Sequence, residues 1–183
     1  MDLLRRALLR HRRGPLKLIT MVRDPIERNV SMFFQEFQFW LTKHVVDQRI
    51  NTRLERSGLL WEAYQHSFDH AYYETWFDSE LKRFTGIDVL AEPFDSTQGW
   101  SLFRRPKFEV FLMKYEQMQA ARPHLEAFLE RDIELSVLNS GERKWYAPVY
   151  AAFKKDREAL EGLACSKWSR LQRTAVHFGY DRA

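Results

Sequence analysis

Arg23 and Ser31 are the residues on which a chemistry can be built: they flank the turn Arg23-Asp24-Pro25, with Ser31 eight positions beyond the arginine. An arginine placed where an apolar run ends and a helix starts is suited to holding an oxyanion. Its planar guanidinium offers parallel N–H donors, and the first backbone N–H groups of the helix carry the positive end of the helix dipole. Ser31 would add a hydroxyl from the polar side of that helix. Such a pair binds and orients an anion such as phosphate and breaks no bond itself. The plainer alternative is a strand-to-helix turn whose arginine pairs with a neighbouring carboxylate.

Arg143-Lys144, just ahead of Trp145-Tyr146, fits a solvated helix start. Glu62, His66 and His70 recur at i, i+4 and i+8, which on an unbroken helix would stack them as metal ligands. One helix supplying every ligand is uncommon, so no metal is expected, and His70, near Trp76-Phe77-Asp78, is read as a substrate-pocket residue if it is functional at all. Cys165 stands alone, which excludes an internal disulfide and a cysteine-only metal cluster and suits a buried thiol in a reducing compartment. Neither a Gly-rich phosphate loop nor a Gly-x-Ser-x-Gly elbow is present.

The elements that must position Arg23 are legible around it. Lys17 to Val22 is a short apolar run suited to a strand buried on both faces, as in parallel sheets. Asp24 can cap the following helix, Pro25 fits its first position, and Glu27 completes an Asp-x-x-Glu capping box. Ile26, Val30, Phe33, Phe37 and Trp40 then share one helical face, with Arg28, Ser31 and Gln35 on the other.

Further along, Asp2 to Arg13 reads as a short basic helix ended by Gly14-Pro15, and the Pro25 helix continues to about Leu41, with a further helical reach to about Arg56. Leu59 to Phe84 reads as helix stopped at Thr85-Gly86. Trp100 to Phe103 and Phe108 to Met113 read as neighbouring strands around a proline turn. Gln117 to Glu130 reads as helix with a break or restart at Pro123, Ile133 to Leu138 as a short extended piece, and Val149, Tyr150 and Phe153 as helix. In a final amphipathic segment from Leu160 to Tyr180, Trp168, Leu171 and Val176 are expected to pack, while Arg170 and Arg173 face water.

The 183 residues suit a single domain, residues 1–183, long enough to bury about 70% of the surface an unfolded chain exposes. A 15% aromatic share argues against disorder. The net charge of +4 fits an anionic ligand and is too small and dispersed for nucleic acid. No apolar run reaches the roughly 18 residues of a membrane span, and the arginines before Pro15 exclude a secretory signal core, so a cytoplasmic location is expected.

Taken in order, these segments resemble the sulfotransferase family. Its second cofactor motif is an apolar strand ending in Arg-(Asp/Asn)-Pro with a serine eight residues after the arginine, matched by Arg23 and Ser31. Trp76-Phe77-Asp78 followed by Gly86-Ile87-Asp88-Val89, and Lys144-Trp145-Tyr146 followed by a Tyr-x-x-Phe helix, resemble a bacterial group of that family associated with capsular polysaccharide synthesis and known by an Asn-Lys-Trp-Tyr signature. Lys114-Tyr115-Glu116 is similar to the end of the family's late strand.

The resemblance implies an α/β fold, three-layer and P-loop-like, helix-rich, with a small, mainly parallel sheet. It implies 3′-phosphoadenosine 5′-phosphosulfate as sulfuryl donor, adenosine 3′,5′-bisphosphate as product, and a carbohydrate hydroxyl as acceptor. Arg23 and Ser31 would hold the 3′-phosphate, with Arg143 and Lys144 from a basic loop. The family's opening strand and lysine-containing phosphosulfate loop have no counterpart before Leu18, and its general base is not assignable. The expectation is therefore the carboxyl-terminal portion of the family domain, amino-terminally truncated. A different class of reading is a non-catalytic helical binding or scaffold module that keeps the fold.

Overall fold

The computed structural model describes residues 14–36, 57–136, 143–156, 162 and 172–180. They group into two compact units: Met1–Asp24 with Tyr72–Ser136 and Arg170–Ala183, and Pro25–Ala71 with Val137–Ser169. The expectations for Asp2 to Arg13, the chain beyond Glu36 to Arg56, Cys165, Trp168, Arg170 and Leu171 lie outside the described residues.

The first unit is built on three strands, β1 (Leu16–Val22), β2 (Trp100–Arg105) and β3 (Phe108–Lys114), in the order β1-β3-β2. β1 runs parallel to β3 from Leu16↔Phe108 to Val22↔Lys114, whereas β2 pairs antiparallel with β3. The sheet is thus mixed rather than mainly parallel. Only Pro106 and Lys107 separate β2 from β3, and so short a link permits only an antiparallel return.

β3 is apolar on both sides because helices cover both. Val110 and Leu112 pack with Phe77, Leu81, Ile87, Val89 and Phe178; Phe111 and Met113 pack with Ala121, Leu125 and Phe128 of α5 (Met118–Leu129). The first cluster comes from α3 (Tyr72–Trp76), a π-helical segment at Phe77–Lys82, α4 (Arg83–Thr85) and the chain around α7 (Gln172–His177). Gly86 ends the helical stretch at φ 80, where the sequence places the stop.

Three expectations are corrected here. Among the described residues β1 is an edge strand, buried on one face only: Ile19 and Met21 are 46% and 50% exposed. A helix about 10 Å wide covers roughly two strands spaced about 4.8 Å apart, and α5 covers β2 and β3. α5 also runs through Pro123 without a break; Pro123 lies on the exposed side and forgoes a single ladder bond. Val176 is 55% exposed, because α7 turns Thr174 inward and the chain continues into buried Phe178.

The second unit packs α1 (Pro25–Gln35), α2 (Ser57–His66) and α6 (Ala147–Lys155) through aromatic rings. Phe33 meets Tyr64 at 5.2 Å and Phe153 at 6.1 Å between centroids, and Trp61 stacks on Phe153 at 4.7 Å. α1 starts at Pro25 and buries Ile26, Val30 and Phe33 as expected, with Asn29 and Phe34 beside them. The helix expected over Leu59 to Phe84 is interrupted after His66. Asp69 Oδ1 accepts the Ala71 N–H at 3.0 Å, a local turn that competes with helix. That interruption also dismantles the Glu62, His66, His70 stack, leaving the first two exposed and His70 buried.

Candidate functional site

The carboxyl edge of the parallel pair brings together residues from three distant parts of the sheet unit. β1 delivers Arg23 and Asp24, β3 delivers Lys114, Tyr115 and Glu116, and the segment after α7 delivers Tyr180. The Arg23 guanidinium lies over the Tyr115 ring, 4.8 Å from its centroid. A guanidinium stacked on an aromatic face directs its N–H donors in the plane parallel to the ring, the orientation in which arginine makes bidentate contacts.

Glu116 is the hinge of the arrangement. One carboxylate oxygen accepts the Asp24 backbone N–H at 3.0 Å, and the other accepts the Tyr180 hydroxyl at 2.6 Å. The carboxylate thus ties the turn after Arg23 to Tyr180, a residue 64 positions beyond Glu116. Tyr180 in turn lies under Lys114, whose ammonium is 4.2 Å from the ring centroid. Together these contacts make a preorganised, cation-bearing strand edge able to hold an oxyanion.

The other predicted site residues belong to the helical unit. Ser31 is half-buried on α1, and Arg143 and Lys144 are exposed in the turn before α6, where the Lys144 carbonyl accepts the Ala147 N–H at 3.0 Å. Trp145 beside them is 62% exposed while Tyr146 is buried. His70 lies between the Tyr64 and Phe68 rings, at 4.6 and 5.0 Å, with Nε2 2.6 Å from the Tyr64 carbonyl oxygen. Burial pushes the Tyr64 phenol well above its usual range, against the opposing pull of Arg28.

Trp76-Phe77-Asp78 and Gly86-Ile87-Asp88-Val89 hold the fold. Phe77, Ile87 and Val89 are core, and Lys82 links Asp88 at 2.6 Å to Asp78 at 3.9 Å, with Arg173 3.6 Å from Asp78. The hydrogen bond to Lys82 holds the Asp88 carboxyl below its usual range and raises Lys82 correspondingly. Among the described residues no group of three or more His, Cys, Asp or Glu side chains is placed to hold a metal, and no helix is long and apolar enough to cross a membrane.

Sequence reasoning reached Arg23 but not Lys114, Glu116 or Tyr180 as members of one site. The signal for the first two was the Lys-Tyr-Glu run closing an apolar strand, readable once that strand is paired parallel with β1. Tyr180 carries no local signal at all.

Comparison with known proteins supplies the family. The model of the NKWYS family, described as "putative capsular polysaccharide synthesis protein", matches residues 42–170, well over half of the 183-residue chain. No curated protein and no solved structure matches. The matched span contains the π-helical segment, β2, β3 with Lys114-Tyr115-Glu116, and the Lys-Trp-Tyr turn. The chain belongs to this capsular polysaccharide synthesis family.

Proposed function

We propose that the protein is a sulfotransferase of the P-loop-like fold that acts in capsular polysaccharide synthesis, moving a sulfuryl group from 3′-phosphoadenosine 5′-phosphosulfate to a hydroxyl of a carbohydrate acceptor. The observation that carries the reading is Arg23 at the carboxyl edge of a parallel strand pair, stacked on Tyr115 and followed by a turn whose backbone Glu116 holds. Family membership supports the polysaccharide, and the eight-residue step to Ser31 supports the 3′-phosphate.

The donor supplies an activated sulfuryl group: the acceptor oxygen bonds to sulfur as the bond to the 5′-phosphate oxygen breaks, and adenosine 3′,5′-bisphosphate leaves. Arg23 and Ser31 hold the 3′-phosphate and so fix the donor's position, an orienting and electrostatic contribution. Arg143 and Lys144 are exposed cations open to an anionic partner, whereas His70, buried between the Tyr64 and Phe68 rings with Nε2 on the Tyr64 carbonyl, is packed in the helical unit rather than placed to meet an acceptor. The acceptor's proton goes to a base that is not assigned.

Calorimetric titration of the full chain with adenosine 3′,5′-bisphosphate, against adenosine 5′-monophosphate as control, tests the reading. Preference for the bisphosphate is expected, with Arg23→Ala losing about 1.5–3 kcal/mol of it, the worth of a charged hydrogen bond. Absence of heat with wild-type protein, or equal affinity in Arg23→Ala, refutes it. Transfer of labelled sulfate to a hydroxylated glycan then tests catalysis.

A further inference from the structure

Two cations stand on neighbouring parallel strands at the carboxyl edge, and the reading above uses one. Lys114 closes β3 directly opposite Val22 in the register, one step before Arg23. Side-chain alternation continues Lys114 from the Val110 and Leu112 row, while Arg23 lies over Tyr115. The two cations therefore flank the edge from opposite faces of the sheet.

Lys114 is only 8% exposed, yet among the described residues no carboxylate lies within ion-pair distance of its ammonium. Its one side-chain contact of that kind is the Tyr180 ring. An ammonium carries three N–H donors, and a π face answers only part of that capacity. The stem is buried while the ammonium is not among the described residues' buried, partnerless polar atoms, so it reaches the strand edge where an anion can meet it. The ring is not loosely placed: its hydroxyl is tied to Glu116 at 2.6 Å, and the same carboxylate holds the Asp24 N–H at 3.0 Å.

We propose that Lys114 and Arg23 are the two cationic contacts of one oxyanion-binding edge, and that Glu116 and Tyr180 are positioning residues that hold both in register. The ligand group is a phosphate or sulfate. The inference rests on the reading that the Arg23 turn takes an anion, and it adds Lys114 as a contact and Tyr180 as the residue through which the chain's last described segment completes the site. Losing the Tyr180 hydroxyl frees the ring beneath Lys114 and leaves Glu116 to hold the Asp24 turn alone.

Three probes separate the sources of the anion: inorganic sulfate, adenosine 3′,5′-bisphosphate and a sulfated oligosaccharide, each titrated into the full chain at an ionic strength matched with sodium chloride. Sulfate is expected to raise the melting temperature of wild-type protein. Lys114→Met and Arg23→Ala should each weaken sulfate binding by about tenfold or more, as for a charged hydrogen bond, and Lys114→Arg should retain it. Tyr180→Phe should weaken binding in wild type and cost less in the Lys114→Met background, since part of its effect runs through Lys114 and the rest through the Asp24 turn.

Should Lys114→Met fail to fold, Lys114→Arg and Tyr180→Phe carry the test. Sulfate or glycan binding without nucleotide binding refutes the nucleotide reading and supports this one. Wild-type affinity in both Lys114→Met and Tyr180→Phe, or no binding of any probe to wild type, overturns it.

Discussion

Gly179 and Gly86 make a matched pair for a stability experiment. Both adopt left-handed backbone, at φ 67 and φ 80. A side chain at either should cost about 1–2 kcal/mol for that conformation alone. Only Gly179 is also crowded: a Cβ there falls 2.5 Å from Ser96 Cβ and 2.9 Å from Ser96 Oγ, whereas one at Gly86 meets nothing within 4 Å. Overpacking typically costs about 1–3 kcal/mol more. Gly86→Ala should therefore lose about 1–2 kcal/mol and Gly179→Ala roughly 2–5 kcal/mol. Urea unfolding followed by far-UV circular dichroism measures both, with the slopes compared to confirm that midpoints report stability. Adding Ser96→Gly to Gly179→Ala removes the crowding atoms and should recover the excess, leaving the conformational part. Gly179 also precedes Tyr180, so Gly179→Ala should weaken sulfate binding while Gly86→Ala leaves it unchanged. The crowding argument fails if the two glycine variants cost the same, or if Ser96→Gly recovers nothing.

Three further outcomes follow from single residues. Tyr64 is fully buried with no partner for its hydroxyl, so Tyr64→Phe should be neutral or stabilise by about 1 kcal/mol in the same urea assay, since it removes an unsatisfied polar group. Pro123→Ala restores one helix bond to α5 and should stabilise by about 1–3 kcal/mol, read as a higher melting temperature. Burial holds the His177 imidazole below its usual pKa, partly offset by its bond to the Val89 backbone. The unfolded chain then binds that proton first, so stability from this group is full above about pH 6.5 and falls as pH drops below it. His177→Phe should flatten the pH dependence of unfolding in that window.

Local chemistry made much of the sheet unit legible. Pro25 at a helix start, Gly86 after one and the Pro106 link between apolar runs each act within a few residues, and each element begins or ends where the sequence places it. The burial of β1 was not legible, because Ile19 and Met21 are as apolar as Val110 and Leu112 and only strand order decides which are covered. Nor was the course of α5 through Pro123: a proline on the exposed side costs one bond, and Ala121, Leu125 and Phe128 packed on Phe111 and Met113 outweigh it. Of the site, Arg23 was visible because its turn is local. Tyr180 was not, since it depends on a hydrogen bond spanning 64 residues.

The family match and the anion edge support the proposed function by separate routes. Residues 42–170 carry the capsular polysaccharide association, and they include Lys114, Tyr115 and Glu116 but neither Arg23 nor Tyr180. The charge that suggests a nucleotide thus lies in part outside the span that establishes the family. A glycan-binding result without nucleotide would keep the family and the cation pair while removing the donor. Conversely, tight bisphosphate binding lost in Arg23→Ala but kept in Lys114→Met would place the donor on the β1 turn alone. The two cations stand one register step apart on parallel strands, so a single charge-retaining exchange, Lys114→Arg, separates a requirement for charge at the edge from a requirement for the lysine stem packed over Tyr180. Sulfate affinity retained with Tyr180→Phe still harmful would show that the ring serves the turn through Glu116; affinity lost would show that the ammonium's seat on the ring is what the anion reads.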